Sequence, residues 1–134
     1  MSIQEFLSGD RFAIEAGVEL LETGCGYAKA RMQITPRHLN GGGVCQGGAL
    51  FTLADLAFAA ASNSHARLTF SIESEIRFFR SESEGYLYAE AREIYDHKRL
   101  STCEVRITNE KGELVANFTG TGYRKDKPLP FAPL

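Results

Sequence analysis

Residues 49–61 read ALFTLADLAFAAA. On a helix this stretch places Ala, Leu or Phe on nearly every face, and a helix that is apolar all round is enclosed by other elements. Its many alanines let those elements approach closely. The stretch therefore predicts one central helix with the remaining chain wrapped around it. Between His38 and His65 the single charged residue is Asp55. An unpaired carboxylate is costly to bury, and it answers with a partner or a raised pKa. Asp55 is thus the main lead to function; the structural alternative is an internal ion pair, for instance with an Arg from a strand.

The helix is entered through glycines. Gly41, Gly42 and Gly43 form a loop, and Gly47 and Gly48 stand at the helix start. If the helix begins near Gln46, its first N–H groups lack helical acceptors and carry partial positive charge. Such an end suits a carbonyl oxygen that turns negative during reaction. The competing reading is that the glycines only admit another backbone. Asp55 lies nine residues beyond Gln46, roughly 13 Å along the axis at 1.5 Å per residue. One helix cannot bring its own Asp to a carbonyl at its own start. Two antiparallel copies could, which favours a homodimer with shared sites.

The flanking sequence supplies the wrapping. Tyr27–Ile34 alternates Ala28, Ala30, Met32 and Ile34 with Lys29, Arg31 and Gln33, the period of a strand. Ala16–Leu21 reads as its hairpin partner across Gly24 and Gly26, and Pro36 closes the pair. After the helix come Leu68–Phe79, with Leu68, Phe70, Ile72, Ile76 and Phe78 on one face, then Tyr86–Tyr95, Ser101–Thr108 and Leu114–Tyr123. Asn109–Gly112 reads as a hairpin turn. Gly120 and Gly122 mark a bend or a close approach. Ser2 and Glu5 match a capping box for a short helix over Ser2–Leu7, packed through Phe6 and Phe12. The tail 125–134 reads as a surface arm. The expected class is α+β, one domain over 1–134 with its core at about 16–124, and an antiparallel sheet around one helix.

Composition excludes several function classes. A net charge of −2 argues against nucleic acid and membrane surfaces as partners. Cys25, Cys45 and Cys103 form no CxxC pair and fit a reducing cytoplasm. No signal peptide is expected at the N-terminus, and 49–61 is too short to span a bilayer. His38, His65 and His97 show no metal-ligand spacing and read as solvated loop residues. Cys45 reads as a small buried filler, and no Walker or dinucleotide fingerprint is present.

The pattern N-x-x-x-x-x-[H/Q]-G-G-x-x-x-x-L-x-D, carried by Asn40, Gln46, Gly47, Gly48, Leu53 and Asp55, resembles the PaaI-like branch of the hotdog-fold acyl-CoA thioesterases. The likeness continues through LADLAFAAASNS and SIESEIRFFRS and covers roughly Ala16 to Arg124. It implies a hotdog fold, a homodimer or a homotetramer built from two dimers, an acyl-CoA substrate and no metal or other cofactor. It implies Asp55 as general base or nucleophile, the Gly47 N–H as oxyanion donor, and Asn40 as the group orienting the site or a water. Gly48 belongs to the same substrate-binding turn. Ser71 falls where relatives hold the lytic water, with Glu73 as a competitor. Lys98 and Arg99 fall near the coenzyme A arm, as phosphate contacts or as ordinary solvated charges. The acyl group is expected to be aryl or short to medium in length, against Phe51, Phe58 or Phe79. Gln46 departs from the His that many relatives carry; its amide still donates a hydrogen bond but cannot act as an acid. The alternatives are a hotdog hydratase or dehydratase, disfavoured because no His stands at the helix, and a non-catalytic acyl-CoA binder.

Overall fold

The computed structural model describes residues 1–134. In chain order the elements are α1 Ile3–Leu7, α2 Arg11–Glu15, β1 Val18–Gly24, β2 Tyr27–Ile34, a 3-10 turn Pro36–His38, α3 Gly47–Ser62, a 3-10 turn Asn63–His65, β3 Arg67–Phe78, β4 Gly85–Asp96, β5 Leu100–Thr108 and β6 Leu114–Pro128. The strands form one antiparallel sheet in the order β1-β2-β4-β5-β6-β3. β1 and β3 are therefore its edges. The architecture is the α+β hotdog arrangement, with the sheet curled around α3.

Small residues make room for the helix. Ala30 pairs with Ala89 and Ala28 with Ala91 across β2 and β4, and all four are fully buried. Cys103, Val105 and Ile107 continue the same inner face on β5. Further along, Phe58 of α3 meets Phe118 of β6 with ring centroids 6.0 Å apart. Enclosing a side chain of this size contributes about 1.5–3 kcal/mol. Gly120 and Gly122 lie beneath these rings. A Cβ on Gly120 would sit 2.8 Å from the Phe118 ring, and one on Gly122 would sit 2.5 Å from the Thr69 methyl. The glycines mark a close approach rather than a bend.

Several expectations need correction. α3 is not covered on every side: Gly48, Phe51, Thr52, Asp55 and Ala59 form a stripe at helical spacing that is exposed or only half-buried. Phe70, Ile72 and Phe78 of β3 are more than half exposed, because the strand is an edge and its register shifts between Ser71 and Glu73. The tail is a surface arm, but a docked one. β6 runs on to Pro128, Leu129 is buried, and Phe131 packs on Phe6. Ala16 caps α2 instead of opening β1, which starts after Gly17 at φ +89°. Phe12 is 74% exposed and so is not a packing residue.

Two histidines are also not solvated loop residues. His65 Nε2 meets Glu93 Oε1 at 2.7 Å. Glu93 and Asp96 also pair with the buried Arg124, joining β4 to β6. With Arg124 on both carboxylates, the His65–Glu93–Asp96 group is a polar strut between the turn after α3, β4 and β6. His38 is taken up below. No helix is long and apolar enough to cross a membrane.

Candidate active site

The loop before α3 is built by one side chain. Asn40 Oδ1 accepts from the N–H of Gly42 at 2.9 Å and of Val44 at 3.3 Å, while its main chain pairs with Val44 at 2.8 Å. This local turn carries Gly43 at φ +78°, where a side chain would be strained. Asn40 Nδ2 has no partner in the chain and the residue is exposed. The loop is then pinned at both flanks of the helix start: Cys45 N–H donates to Glu82 O, and Gln46 N–H to His38 O, each at 2.7 Å.

Gln46 is the N-cap of α3, and its side chain makes no capping hydrogen bond. Its carbonyl accepts from Ala49 and Leu50. The N–H groups of Gly47 and Gly48, the two residues before Ala49, have no acceptor in the chain. These are unsatisfied donors at the positive end of a helix of 16 residues. The Gln46 carboxamide folds over the same turn: a Cβ on Gly48 would lie 2.5 Å from its Oε1. A Cβ on Gly47 would lie 2.9 Å from the Phe78 ring. The glycines thus both admit close neighbours and leave donors open.

Asp55 sits two turns further along the uncovered stripe. Its carboxylate forms no hydrogen bond and no salt bridge within the chain, so no internal ion pair explains it. Burial raises its pKa above the ordinary carboxylate value, and the neighbouring Asp10 raises it further. Eight residues separate Gly47 from Asp55, about 12 Å of helix. Within one chain the donors and the carboxylate stand well apart.

Beside the donors lies an open cleft of about 780 Å³. Phe12 and Glu15 of α2 and its C-cap Ala16 line one wall, and Gly48, Ala49 and Thr52 of α3 the other. Arg37, His38, Leu39, Asn40 and Gln46 complete it. α2 went unforeseen because a helix of five residues has no room for a periodic signal.

Other named residues lie elsewhere. Ser71 is exposed on β3, and its hydroxyl pairs with that of Ser74 at 2.9 Å; Glu73 is exposed beside it. In the turn after β4, Arg99 makes two hydrogen bonds to Asp126, of 2.8 and 3.0 Å, and Arg67 shares that carboxylate. Lys98 is exposed and unpaired. Phe58 is enclosed in the core and cannot line a pocket, whereas Phe51 is half-buried against Phe118 and Phe79 is 57% exposed. Cys45 is buried, and burial pushes its thiol pKa up, away from nucleophilic use.

The sequence model of the thioesterase superfamily matches residues 42–116. An esterase candidate of Archaeoglobus fulgidus is 42% identical over 112 residues, 83% of this chain and 73% of that protein. The acyl-coenzyme A thioesterase PaaI of Escherichia coli is 34% identical over 116 residues, 86% of this chain and 83% of its own length. A mutant structure of the phenylacetic acid degradation protein PaaI of Thermus thermophilus superposes with a TM-score of 0.83 at 33% identity, over 87% of this chain and 100% of that one.

Proposed function

The chain belongs to the thioesterase superfamily and is a thioester hydrolase, and from that premise we propose that it cleaves an acyl-CoA to a carboxylic acid and CoA at sites shared by two copies. The observation that carries this reading is the division of α3: open N–H donors at Gly47 and Gly48, and an unpaired carboxylate about 12 Å further on. Antiparallel pairing of two such helices supplies what each lacks. The uncovered stripe of α3 and the exposed apolar side chains on edge strand β3 support a partner chain there. A second pair of subunits would make the homotetramer.

In this reading the thioester carbonyl rests on the Gly47 N–H. Asp55 of the facing copy takes a proton from water, and the water oxygen attacks the carbonyl carbon. Negative charge on the carbonyl oxygen is met by the helix-start donors. The intermediate collapses, the C–S bond breaks, and the CoA sulfur leaves with a proton. Direct attack by Asp55 gives an acyl anhydride that water then opens, with the same products. Asn40 Nδ2, left free by the turn, is the donor placed to orient water or substrate. Gln46 adds a neutral amide. Ser71 would meet the lytic water from β3.

The acyl group, aryl or short to medium in length, enters the cleft beside the helix start, which Phe12 and Ala49 make partly apolar. Lys98 is the free cation for the CoA phosphates, since Arg99 must first leave Asp126. A thiol-release assay over a panel of acyl-CoAs tests the proposal. Turnover by the wild type and little by Asp55→Ala supports it. Full activity in that variant overturns the mechanism. Calorimetric binding without thiol release would make the protein an acyl-CoA binder.

A further inference from the structure

His38 joins three segments through hydrogen bonds. Its Nδ1 accepts from the Thr35 N–H at 2.9 Å, tying it to the end of β2. Its Nε2 lies 2.6 Å from the carbonyl oxygen of Ala16, the C-cap of α2. Its own carbonyl accepts from the Gln46 N–H at 2.7 Å, at the start of α3. An N–H must donate and a carbonyl must accept, so Nδ1 is bare and Nε2 carries the hydrogen. The ring is the neutral Nε2–H tautomer with both nitrogens in use.

This arrangement separates main-chain from side-chain work. The carbonyl of His38 holds the helix start, and any residue could supply it. The imidazole ties down the C-terminal end of α2, a short helix otherwise held by its Asp10 cap, its own turn bonds and the buried Ala13. α2 and its C-cap supply Phe12, Glu15 and Ala16 to the cleft wall. Phe12 is exposed there and has no packing role that explains an aromatic residue.

We infer that His38 is a positioning residue for acyl recognition: its imidazole latches α2 so that Phe12 forms the wall against which a bulky acyl group rests. The inference rests on the thioesterase reading for its kinetic consequence, but the latch itself is a property of the fold. The acyl class it favours is flat or branched and apolar, large enough to reach Phe12. Acetyl, which has neither ring nor branch, is the control.

Two conservative variants divide the imidazole. In His38→Asn the amide oxygen replaces Nδ1 and keeps Thr35, but nothing reaches Ala16. In His38→Gln the amide nitrogen replaces Nε2 and keeps Ala16, while Thr35 loses its acceptor. His38→Asn gives up the contact to Ala16, and His38→Gln those to the Thr35 N–H and hydroxyl, so a purely structural role weakens His38→Gln at least as much. The latch predicts that His38→Asn raises KM for phenylacetyl-CoA at least tenfold with kcat changed less than threefold. The readout is therefore selectivity: the ratio of the phenylacetyl-CoA KM to the acetyl-CoA KM rises at least tenfold in His38→Asn and less than threefold in His38→Gln. Phe12→Ala, a surface change that leaves folding intact, should raise KM as His38→Asn does, and the double variant should be no worse than either. Hydrogen exchange over residues 11–17 supplies a readout free of activity, faster in His38→Asn only. Equal KM changes in both His38 variants, or exchange unaltered by His38→Asn, overturn the inference. A wild type that releases no thiol from any acyl-CoA overturns the thioesterase reading instead, and exchange still decides the latch.

Discussion

Gly47 and Phe78 are in contact: a β-carbon on the glycine would stand 2.9 Å from Cζ of the phenyl ring. The ring belongs to the end of edge strand β3 and lies on the first residue of α3. Gly47→Ala must therefore push that half-exposed ring aside, at about 0.5–1.5 kcal/mol, the cost of an off-rotamer side chain. The cost should fall when Phe78→Ala is also made, since the two residues are neighbours and couple. Urea melts of the four proteins check this. An equal cost in both backgrounds would show that the ring is not why the position is glycine.

Asp55 carries the clearest trade between stability and activity. Its pKa in the fold is raised above the unfolded value, by burial first and Asp10 second. The fold therefore favours the protonated form. That contribution is fully present below the unfolded pKa and is lost as pH rises through the folded one. At neutral pH the ionised carboxylate is a burden, and Asp55→Asn should melt at a higher temperature than the wild type. The difference should shrink toward zero at acid pH. Thiol release should drop by about 10²–10⁴-fold, the usual size of a lost general base. A variant that melts lower at neutral pH would mean that Asp55 has a stabilising partner.

Asn40 does two jobs that substitution can part. Asn40→Asp keeps the oxygen that accepts from Gly42 and Val44 and removes the free Nδ2 donor. It should fold with near wild-type stability and lose about a hundredfold in kcat, as when one oriented donor is deleted. Asn40→Ala removes both and should lose, in addition, about 0.5–1.5 kcal/mol for each turn hydrogen bond. Thermal melts beside kcat separate the two. Equal activity in Asn40→Asp and wild type would leave Asn40 a turn residue alone.

Ile72 is 63% exposed at the irregular step of β3. In an isolated chain Ile72→Glu should change stability by less than about 0.5 kcal/mol. If β3 borders a partner, the same change puts a charge into an apolar contact and should lower both the molecular mass in light scattering and thiol release. Unchanged mass would place the interface elsewhere.

Much of this was legible in the sequence where a period had room to repeat. β2 was anticipated from Tyr27 to Ile34 because its alternation is unbroken over eight residues. α3 was anticipated because Ala, Leu and Phe run almost unbroken from Ala49 to Ala61. What escaped was set by distant contacts. α2 is five residues long and is held by His38, 22 positions away. The exposure of Phe70 and Ile72 follows from β3 being an edge, which no local pattern announces. The role of Asn40 Oδ1 depends on a turn whose glycines admit many conformations. The open N–H groups of Gly47 and Gly48 were foreseen, because any helix start leaves such donors, but the Phe78 ring over Gly47 needed the whole fold.

Sharing of the site leads to a mixing experiment. Proline fits the first position of a helix and lacks an N–H. Gln46 is already in extended conformation, at φ −66° and ψ 140°, as a residue before proline must be. Gly47→Pro therefore deletes the proposed oxyanion donor while α3 keeps its start, at the cost of moving the Phe78 ring. Alone, Gly47→Pro and Asp55→Asn should each be nearly inactive. In a hybrid dimer, one site would hold both defects, and the other would join an intact Gly47 to an intact Asp55. Refolding equal amounts together should restore about a quarter of wild-type turnover, since random pairing makes half the dimers hybrid and each hybrid has one good site of two. Each variant refolded alone is the control. If every site used the Gly47 and Asp55 of one chain, each chain would keep its own defect and mixing would restore nothing.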